Sequence, residues 1–190
     1  MIYRFMFAAY APEQAALSLR PDPSCYTALS RSGSRVFLYI ESTVPEVEPE
    51  TLVCGDLPRR PDGVIWERAA EIFHYSVPVS ADQWNRTAPK TPVFRVNYLK
   101  PEKIASYIFY HYQYQEEYPG DGDRYGVIYL LGNQMVFYME DPTEKETQPV
   151  KGLLDTKHSP LEQWHPIMEQ HFADTWRPME LLDRTEYVSF

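Results

Sequence analysis

One stretch of this chain occurs twice, and this repeat limits the folds that the chain can adopt. Residues 25–42 align without a gap with residues 124–141, which lie 99 positions further on. The two stretches are identical at four of eighteen positions, whereas average residue usage predicts about one identity. The identical pairs are Tyr26 and Tyr125, Gly33 and Gly132, Tyr39 and Tyr138, and Glu41 and Glu140. The repeat therefore predicts two related structural units.

The segments before the two repeated stretches also match. Residues 5–13 correspond to residues 94–102, at the shorter offset of 89 positions. The second copy therefore holds ten additional residues between its first strand and its hairpin. A helix predicted at 101–117 contains them, whereas Pro21 and Pro23 end the corresponding helical turns of the first copy early. We therefore expect a functional site only in the second copy.

The second copy has the element order of a ferredoxin-like unit. Its predicted elements are a strand at 93–99, a helix at 101–117, hairpin strands at 125–131 and 134–140, a helix at 161–176 and a strand at 185–190. This β-α-β-β-α-β order is typical of ferredoxin-like folds. The first copy keeps the strands, which are predicted at 2–10, 25–30, 35–41 and 72–77.

These patterns predict the α+β class, with tandem ferredoxin-like repeats that form a single-chain dimeric α+β barrel. The first repeat is expected at 1–80, degenerate and poor in helix. Residues 81–92 are polar and contain proline, so they are predicted to be a linker to the second repeat at 93–190. The repeat is compatible with a monomeric pseudo-dimer and with a homodimer.

Charge and composition exclude several classes of function. The net charge of −9 would repel a nucleic-acid backbone, and no run of basic residues suggests a membrane surface. Cys25 and Cys54 form neither a metal-binding pattern nor a disulfide framework. This cysteine usage fits a reducing compartment, so we expect a cytoplasmic protein. The chain also has no glycine-rich phosphate loop, and we expect a small-molecule ligand with no cofactor and no metal.

The helix predicted at 101–117 carries the best candidate residues. Its inward stripe at helical spacing consists of Ile104, Tyr107, Ile108, His111 and Gln115, and so becomes polar toward its C-terminal end. Tyr107 and His111 are four residues apart, so their side chains can meet. A simpler interpretation is that His111 is a core histidine bonded to a tyrosine hydroxyl.

The second copy resembles the L-rhamnose mutarotase family of small dimeric α+β barrel proteins. The resemblance rests on Tyr107-x-x-x-His111 after a strand and Pro101, and on the hairpin that begins with Tyr125-Gly-Val-Ile-Tyr129. Trp164-x-x-x-Met168 in the second predicted helix extends it.

The resemblance implies an isomerase that interconverts the anomers of a small sugar. It assigns His111 and Tyr107 as the catalytic pair, with His111 as the acid/base, and Tyr125, Tyr129 and Trp164 as substrate-binding residues. A positioned histidine can remove the proton from the anomeric hydroxyl and deliver one to the ring oxygen, which contributes about 10²- to 10⁴-fold in rate.

Two other classes of function stay open at this stage. One is a non-catalytic small-ligand-binding or regulatory module, for which His111 would be bonded inside the core with no cavity beside it. The other is a haem-using or oxygenase relative, in which His111, His165 or His171 would face a large apolar cavity.

Overall fold

The computed structural model describes residues 1–146, 152–155 and 163–186. The protein belongs to the α+β class, with mostly antiparallel sheets and few helices. The strands are β1 Tyr3–Tyr10, β2 Ser18–Leu19, β3 Cys25–Ser32, β4 Arg35–Ser42, β5 Val53–Cys54, β6 Glu67–Arg68, β7 Ala70–His74, β8 Thr91–Tyr98, β9 Val127–Leu131, β10 Gln134–Asp141, β11 Arg177–Pro178 and β12 Glu180–Arg184. The helices are α1 Pro49–Leu52, α2 Ala81–Trp84, α3 Ile104–Glu117 and α4 Trp164–Glu169, and a 3-10 turn at Pro101–Lys103 precedes α3.

The chain divides into two compact units whose bounds differ from those of the predicted repeats. The first contains Met1–Ala69, Pro78–Phe94 and the residues from Met179 onward. The second contains Ala70–Val77 and Arg95–Pro178. Each unit therefore includes a segment that the sequence assigned to the other repeat.

The first unit contains a five-stranded sheet in the order β12-β3-β4-β1-β6. Its β1, β3 and β4 pair antiparallel along their full lengths, with Leu38 opposite both Phe7 and Leu29. One face of the sheet is apolar, because Phe5, Leu29, Leu38 and other side chains form a buried cluster that also includes Trp66. The cluster members alternate along each strand, as residues on one face of a sheet do. The side chains between them, such as Met6 and Tyr39, are buried as well.

The second unit contains a five-stranded sheet in the order β11-β8-β10-β9-β7. A buried cluster covers the face on which α3 lies, and Leu99, Tyr107, Ile128, Met135 and Met168 belong to it. Because α3 supplies Tyr107 and α4 supplies Met168, both helices pack on this face of the sheet.

The two predicted hairpins are present, and their turns have the same backbone conformation. Ser32 pairs with Arg35 around Gly33, and Leu131 pairs with Gln134 around Gly132. The φ angles of Gly33 and Gly132 are 57° and 62°. Such left-handed positions favour glycine, which explains why the aligned residue is glycine in both copies.

Each sheet receives its fifth strand from the other half of the sequence. β6 pairs with β1, and after one residue the chain continues as β7, which pairs with β9. In the same way β11 pairs with β8, and β12 then pairs with β3. The strand predicted at 72–77 thus begins two residues earlier and joins the sheet of the second unit.

Two further local predictions differ from the structure. The helix predicted at 161–176 is limited to α4, and residues 161 and 162 lie outside the described residues. The chain leaves the helix because Phe172 forms an isolated bridge with Leu99, which requires extended backbone. The closing strand is β12, whereas residues 187–190 of the strand predicted at 185–190 lie outside the described residues.

The predicted linker at 81–92 is ordered as part of the first unit. It contains α2, whose N-cap Ser80 accepts a hydrogen bond from the backbone of Gln83, and the beginning of β8. Trp84 is fully buried, so this segment contributes to packing as well as connecting two strands.

In the part of the chain that the structure describes, no helix has the length and apolar character needed to cross a membrane.

Candidate functional site

α3 holds Tyr107 and His111 on its buried side. Pro101 and the 3-10 turn start the helix, consistent with the preference of proline for a first helical position. Tyr118 ends the helix, where its N–H donates to the carbonyl of Tyr114. Gly120 follows with a φ of 79°, and its N–H donates to the carbonyl of Tyr75 over 2.7 Å. The C-terminal end of α3 is thus attached to the segment that follows β7.

Tyr107 and His111 meet, as their spacing predicts, but through their rings. The ring centroids are 3.9 Å apart with 30° between the planes. The His111 Nδ1 lies 3.0 Å from the backbone carbonyl of Tyr107. Because a carbonyl oxygen only accepts, Nδ1 carries the hydrogen and Nε2 presents a lone pair. No described residue forms a hydrogen bond with Nε2.

Burial keeps His111 neutral. The side chain is 5% exposed, and desolvation is the main reason that the pKa of its imidazole falls to about 3. The neighbouring His171 also lowers the pKa of His111, while the bond to the Tyr107 carbonyl opposes both effects. Burial likewise raises the pKa of the Tyr107 hydroxyl. At neutral pH the pair therefore offers an uncharged acceptor beside an uncharged hydroxyl.

Aromatic rings surround His111 on its other sides. The Phe73 ring meets the imidazole edge-on at 5.1 Å, and the Trp164 ring does so at 4.9 Å. Phe73 comes from β7 and Trp164 is the first residue of α4. Three separate elements therefore fix the position of His111.

The described residues of the second unit form a cavity of about 970 Å³ beside this pair. Such a volume lies at the upper end of the range for small-molecule sites. The aromatic lining residues are Phe73, Tyr75, Tyr107, Tyr114, Phe137, Trp164, Phe172 and Trp176. The lining also includes the basic side chains of Arg95 and His165 and the acidic side chains of Glu169 and Asp174. The cavity is thus apolar in its walls and charged at a few positions.

Three of the five predicted site residues line this cavity, and two do not. Tyr107, His111 and Trp164 line it together. Tyr129 is in β9 next to Ile128, which does line the cavity, so strand alternation turns Tyr129 to the other face of the sheet. Its hydroxyl lies 3.4 Å from the Glu71 carboxylate. Tyr125 is fully buried and is likewise absent from the cavity lining.

Several cavity residues escaped the sequence analysis. Phe73 and Tyr75 were assigned to the first repeat, yet Phe73 belongs to β7 of the second sheet and Tyr75 directly follows that strand. Arg95 interrupts an apolar strand between the buried Phe94 and Val96. A charged residue in such a strand could have been identified as a candidate site residue from the alternation pattern alone.

His165, like His111, lines the large aromatic cavity, as the haem-using alternative requires, whereas both ring nitrogens of His171 have partners. His171 is buried, with Nδ1 2.8 Å from the Ile167 carbonyl and Nε2 2.9 Å from the Ser106 hydroxyl. His165 is exposed at the cavity, and His158 lies outside the described residues. Among the described residues, no group of three or more histidine, cysteine, aspartate or glutamate side chains is arranged to hold a metal ion.

Comparisons with known proteins add no further constraint. No family model matches the chain, and neither the curated proteins nor the solved structures contain a match.

Proposed function

We propose that this protein binds a small sugar in the cavity of the second unit and interconverts its anomers, with His111 as the proton-transferring residue. The observation that carries the proposal is the position of His111. Its Nε2 has no hydrogen-bond partner among the described residues, and the residue lines an aromatic cavity together with Tyr107 and Trp164.

Ring opening requires two proton transfers and one bond cleavage, and ring closure reverses them. In the proposed mechanism, Nε2 of His111 accepts the proton of the anomeric hydroxyl as the bond between the anomeric carbon and the ring oxygen breaks. The same imidazolium then returns its proton to the ring oxygen, which gives the open-chain aldehyde. Rotation about the bond next to the aldehyde and the reverse steps produce the other anomer.

The lowered pKa of His111 sets an expectation for the size of the effect. An imidazole with a pKa of about 3 is in its base form at neutral pH, but it is a weak base. Proton transfer is most efficient when the pKa lies near the working pH. We therefore expect a rate enhancement near the lower end of the usual range, about 10²-fold.

The cavity walls suit a sugar. Aromatic rings pack against the apolar C–H faces of sugars, and the Tyr107 hydroxyl can donate to or accept from a sugar hydroxyl. The Tyr114 hydroxyl donates to Asp121 over 3.0 Å and can accept from a sugar. Tyr107, Trp164 and Tyr114 line one continuous cavity. The volume of about 970 Å³ leaves room for a monosaccharide and bound water.

Tandem ferredoxin-like repeats are part of the proposal. If the strands are numbered within each copy, β11-β8-β10-β9 has the order 4-1-3-2, and β6-β1-β4-β3 has the same order. This is the strand order of a ferredoxin-like sheet, and its occurrence in both sheets supports two related repeats. The single-chain barrel stays a prediction.

Exchange NMR on a panel of aldoses tests the proposed reaction. We expect the protein to accelerate exchange between the anomer signals of at least one aldose over buffer, and the change His111→Gln to abolish that acceleration. His74→Gln is the matched control, because His74 pairs with Glu71 and does not line the cavity. Acceleration that survives His111→Gln, or its absence for every aldose, would contradict the proposal.

A non-catalytic sugar-binding module is the second candidate. The specific observation in its favour is that burial keeps both His111 and Tyr107 uncharged, which suits recognition of neutral hydroxyls better than proton transfer. Under this alternative, sugars would bind and perturb the Trp164 fluorescence, but the exchange between anomers would run at the rate measured in buffer.

A further inference from the structure

We propose that Arg95 selects a sugar that carries an anionic group, either a carboxylate or a phosphate. This inference rests on the proposed function, because it names the class of sugar that the same cavity would take. Arg95 is the residue that supplies a permanent positive charge to the lining.

The position of Arg95 in the sheet directs its side chain to the cavity. It belongs to β8, which lies between β11 and β10. Its neighbours Phe94 and Val96 are buried, and strand alternation places both on the opposite face. Arg95 therefore shares the face of Leu99, which belongs to the same cluster as Tyr107.

Arg95 differs from the other arginines in having no partner among the residues that the structure describes. Each of the other eleven arginines contacts a carboxylate, a backbone carbonyl, a thiol or an aromatic ring. Carboxylates pair with Arg35, Arg60, Arg86, Arg124 and Arg177. Carbonyls or a thiol accept from Arg20, Arg31, Arg59 and Arg184, and aromatic rings lie under Arg4 and Arg68. Among the described residues, Arg95 contacts none of these groups. Its five N–H donors are available to a ligand.

The two carboxylates that line the cavity form no ion pair with Arg95. Asp174 also lines the cavity, but it pairs with Arg177 at 2.9 Å and accepts a hydrogen bond from the backbone of Thr175. Glu169 lines the cavity without an ion pair to a described residue. The Glu169 carboxylate would therefore repel an anionic ligand.

The guanidinium group matches the proposed ligand. It is planar, and two of its N–H groups can bond both oxygens of a carboxylate or two oxygens of a phosphate. The aromatic walls would hold the sugar ring while Arg95 holds the anionic substituent. A neutral sugar would leave this charge without a partner.

Titration calorimetry on matched sugars tests the inference. The probes are glucose with glucuronate and glucose 6-phosphate, galactose with galacturonate, and mannose with mannuronate. We expect at least one anionic sugar to bind about tenfold more tightly than its neutral counterpart, the effect of one charge-assisted hydrogen-bonded pair. A preference for the uronate or for the phosphate distinguishes the two anionic groups.

Two variants of the cavity should change the preference in opposite directions. Arg95→Gln should remove the tenfold preference for the anionic sugar, and Glu169→Gln should strengthen it. Arg59→Gln is the control, because it removes the same charge from an exposed arginine that does not line the cavity. Since Arg95 and Glu169 are both exposed, neither change should affect folding.

The outcomes separate this inference from the proposed function. If neutral and anionic sugars bind equally, or if Arg95→Gln keeps the preference, the inference is overturned and the sugar site stands. If none of the probes binds, the inference and the proposed sugar site both fail. An anionic preference that requires Arg95 supports both.

Discussion

At the residue scale, His111 combines a buried ring that lines a cavity with a nitrogen, Nε2, that forms no hydrogen bond with a described residue. Its Nδ1 is held by the Tyr107 carbonyl, and Phe73 and Trp164 pack edge-on against its ring. The spacing of Tyr107 and His111 predicted that the two side chains would meet. The sequence could not show that the contact would be ring against ring, because that depends on the elements that pack over α3.

The buried neutral His111 should make the protein less stable in acid. Between a folded-state pKa of about 3 and an unfolded-state pKa of about 6.5, the unfolded chain binds a proton that the folded chain does not. The free energy of unfolding should therefore fall as the pH falls, by about 1–2 kcal/mol between pH 7 and pH 5 from this group.

Urea unfolding of the wild type and of His111→Gln at pH 7, 6 and 5 measures this contribution. The difference in unfolding free energy between the two proteins should shift in favour of the variant as the pH falls, because other titrating groups are common to both. A difference that stays constant with pH would show that His111 titrates normally.

At the scale of elements, the cavity depends on glycines that allow Tyr75 to approach the backbone. A Cβ on Gly122 would lie 2.4 Å from the Tyr75 ring, and one on Gly126 would lie 2.7 Å from it. Tyr75 in turn meets Phe73 edge-on at 4.8 Å, and both line the cavity. The two glycines thus set the position of a cavity wall.

The change Gly122→Ala should displace the Tyr75 ring. Gly122 does not have a left-handed φ, so the expected cost comes from overpacking, about 1–3 kcal/mol in the free energy of unfolding. Ligand affinity should fall as well. Chemical denaturation and sugar titration of the variant measure both effects.

Gly132→Ala is the control for that experiment. Gly132 has a φ of 62° and a Cβ there would meet no atom within 4 Å, so this change costs only the strain of a left-handed alanine. It should lower stability without changing sugar affinity. If Gly122→Ala binds sugar as tightly as Gly132→Ala does, the Tyr75 ring is not part of the site.

At the scale of the whole molecule, both units carry the same buried tyrosine–glutamate pair. The Tyr39 hydroxyl donates to Glu41 over 2.8 Å, and the Tyr138 hydroxyl donates to Glu140 over 2.5 Å. All four side chains are fully buried. Tyr39 aligns with Tyr138 and Glu41 aligns with Glu140, which are two of the four identical pairs in the repeat. The same buried polar contact therefore occurs in both copies.

In the first unit, Arg86 compensates the charge of Glu41. Its two terminal nitrogens lie 2.6 and 3.0 Å from the carboxylate oxygens of Glu41, and both side chains are buried. Burial raises the pKa of Glu41, but Arg86, Trp84 and Tyr39 outweigh it and hold that pKa below its usual value. Glu41 is therefore ionised at neutral pH and relies on its partner.

The change Arg86→Met should strongly destabilise the protein, because it leaves the Glu41 carboxylate buried without its cation. Removal of one partner of a buried ion pair costs about 3–5 kcal/mol. Urea unfolding at pH 7 measures the loss, and the double change Arg86→Met with Glu41→Gln should recover part of it. The control Arg60→Met breaks a surface ion pair with Glu67 and should have little effect. Equal stability of the two single variants would contradict a buried pair.

The sequence by itself determined the features that depend on neighbouring residues. The α+β class and both hairpins could be predicted because they depend on patterns that extend over only a few residues. These patterns are strand alternation, the glycines of the two hairpin turns and the spacing of Tyr107 and His111. The tertiary structure decided the features that depend on pairing between distant segments. The pairing of β7 with β9 brings Phe73 to the cavity, and the packing of α3 and α4 on one face of the sheet decides that Ile128, not Tyr129, lines it. That Arg95 has no partner among the described residues depends on the segments that pack around it, which no local pattern specifies.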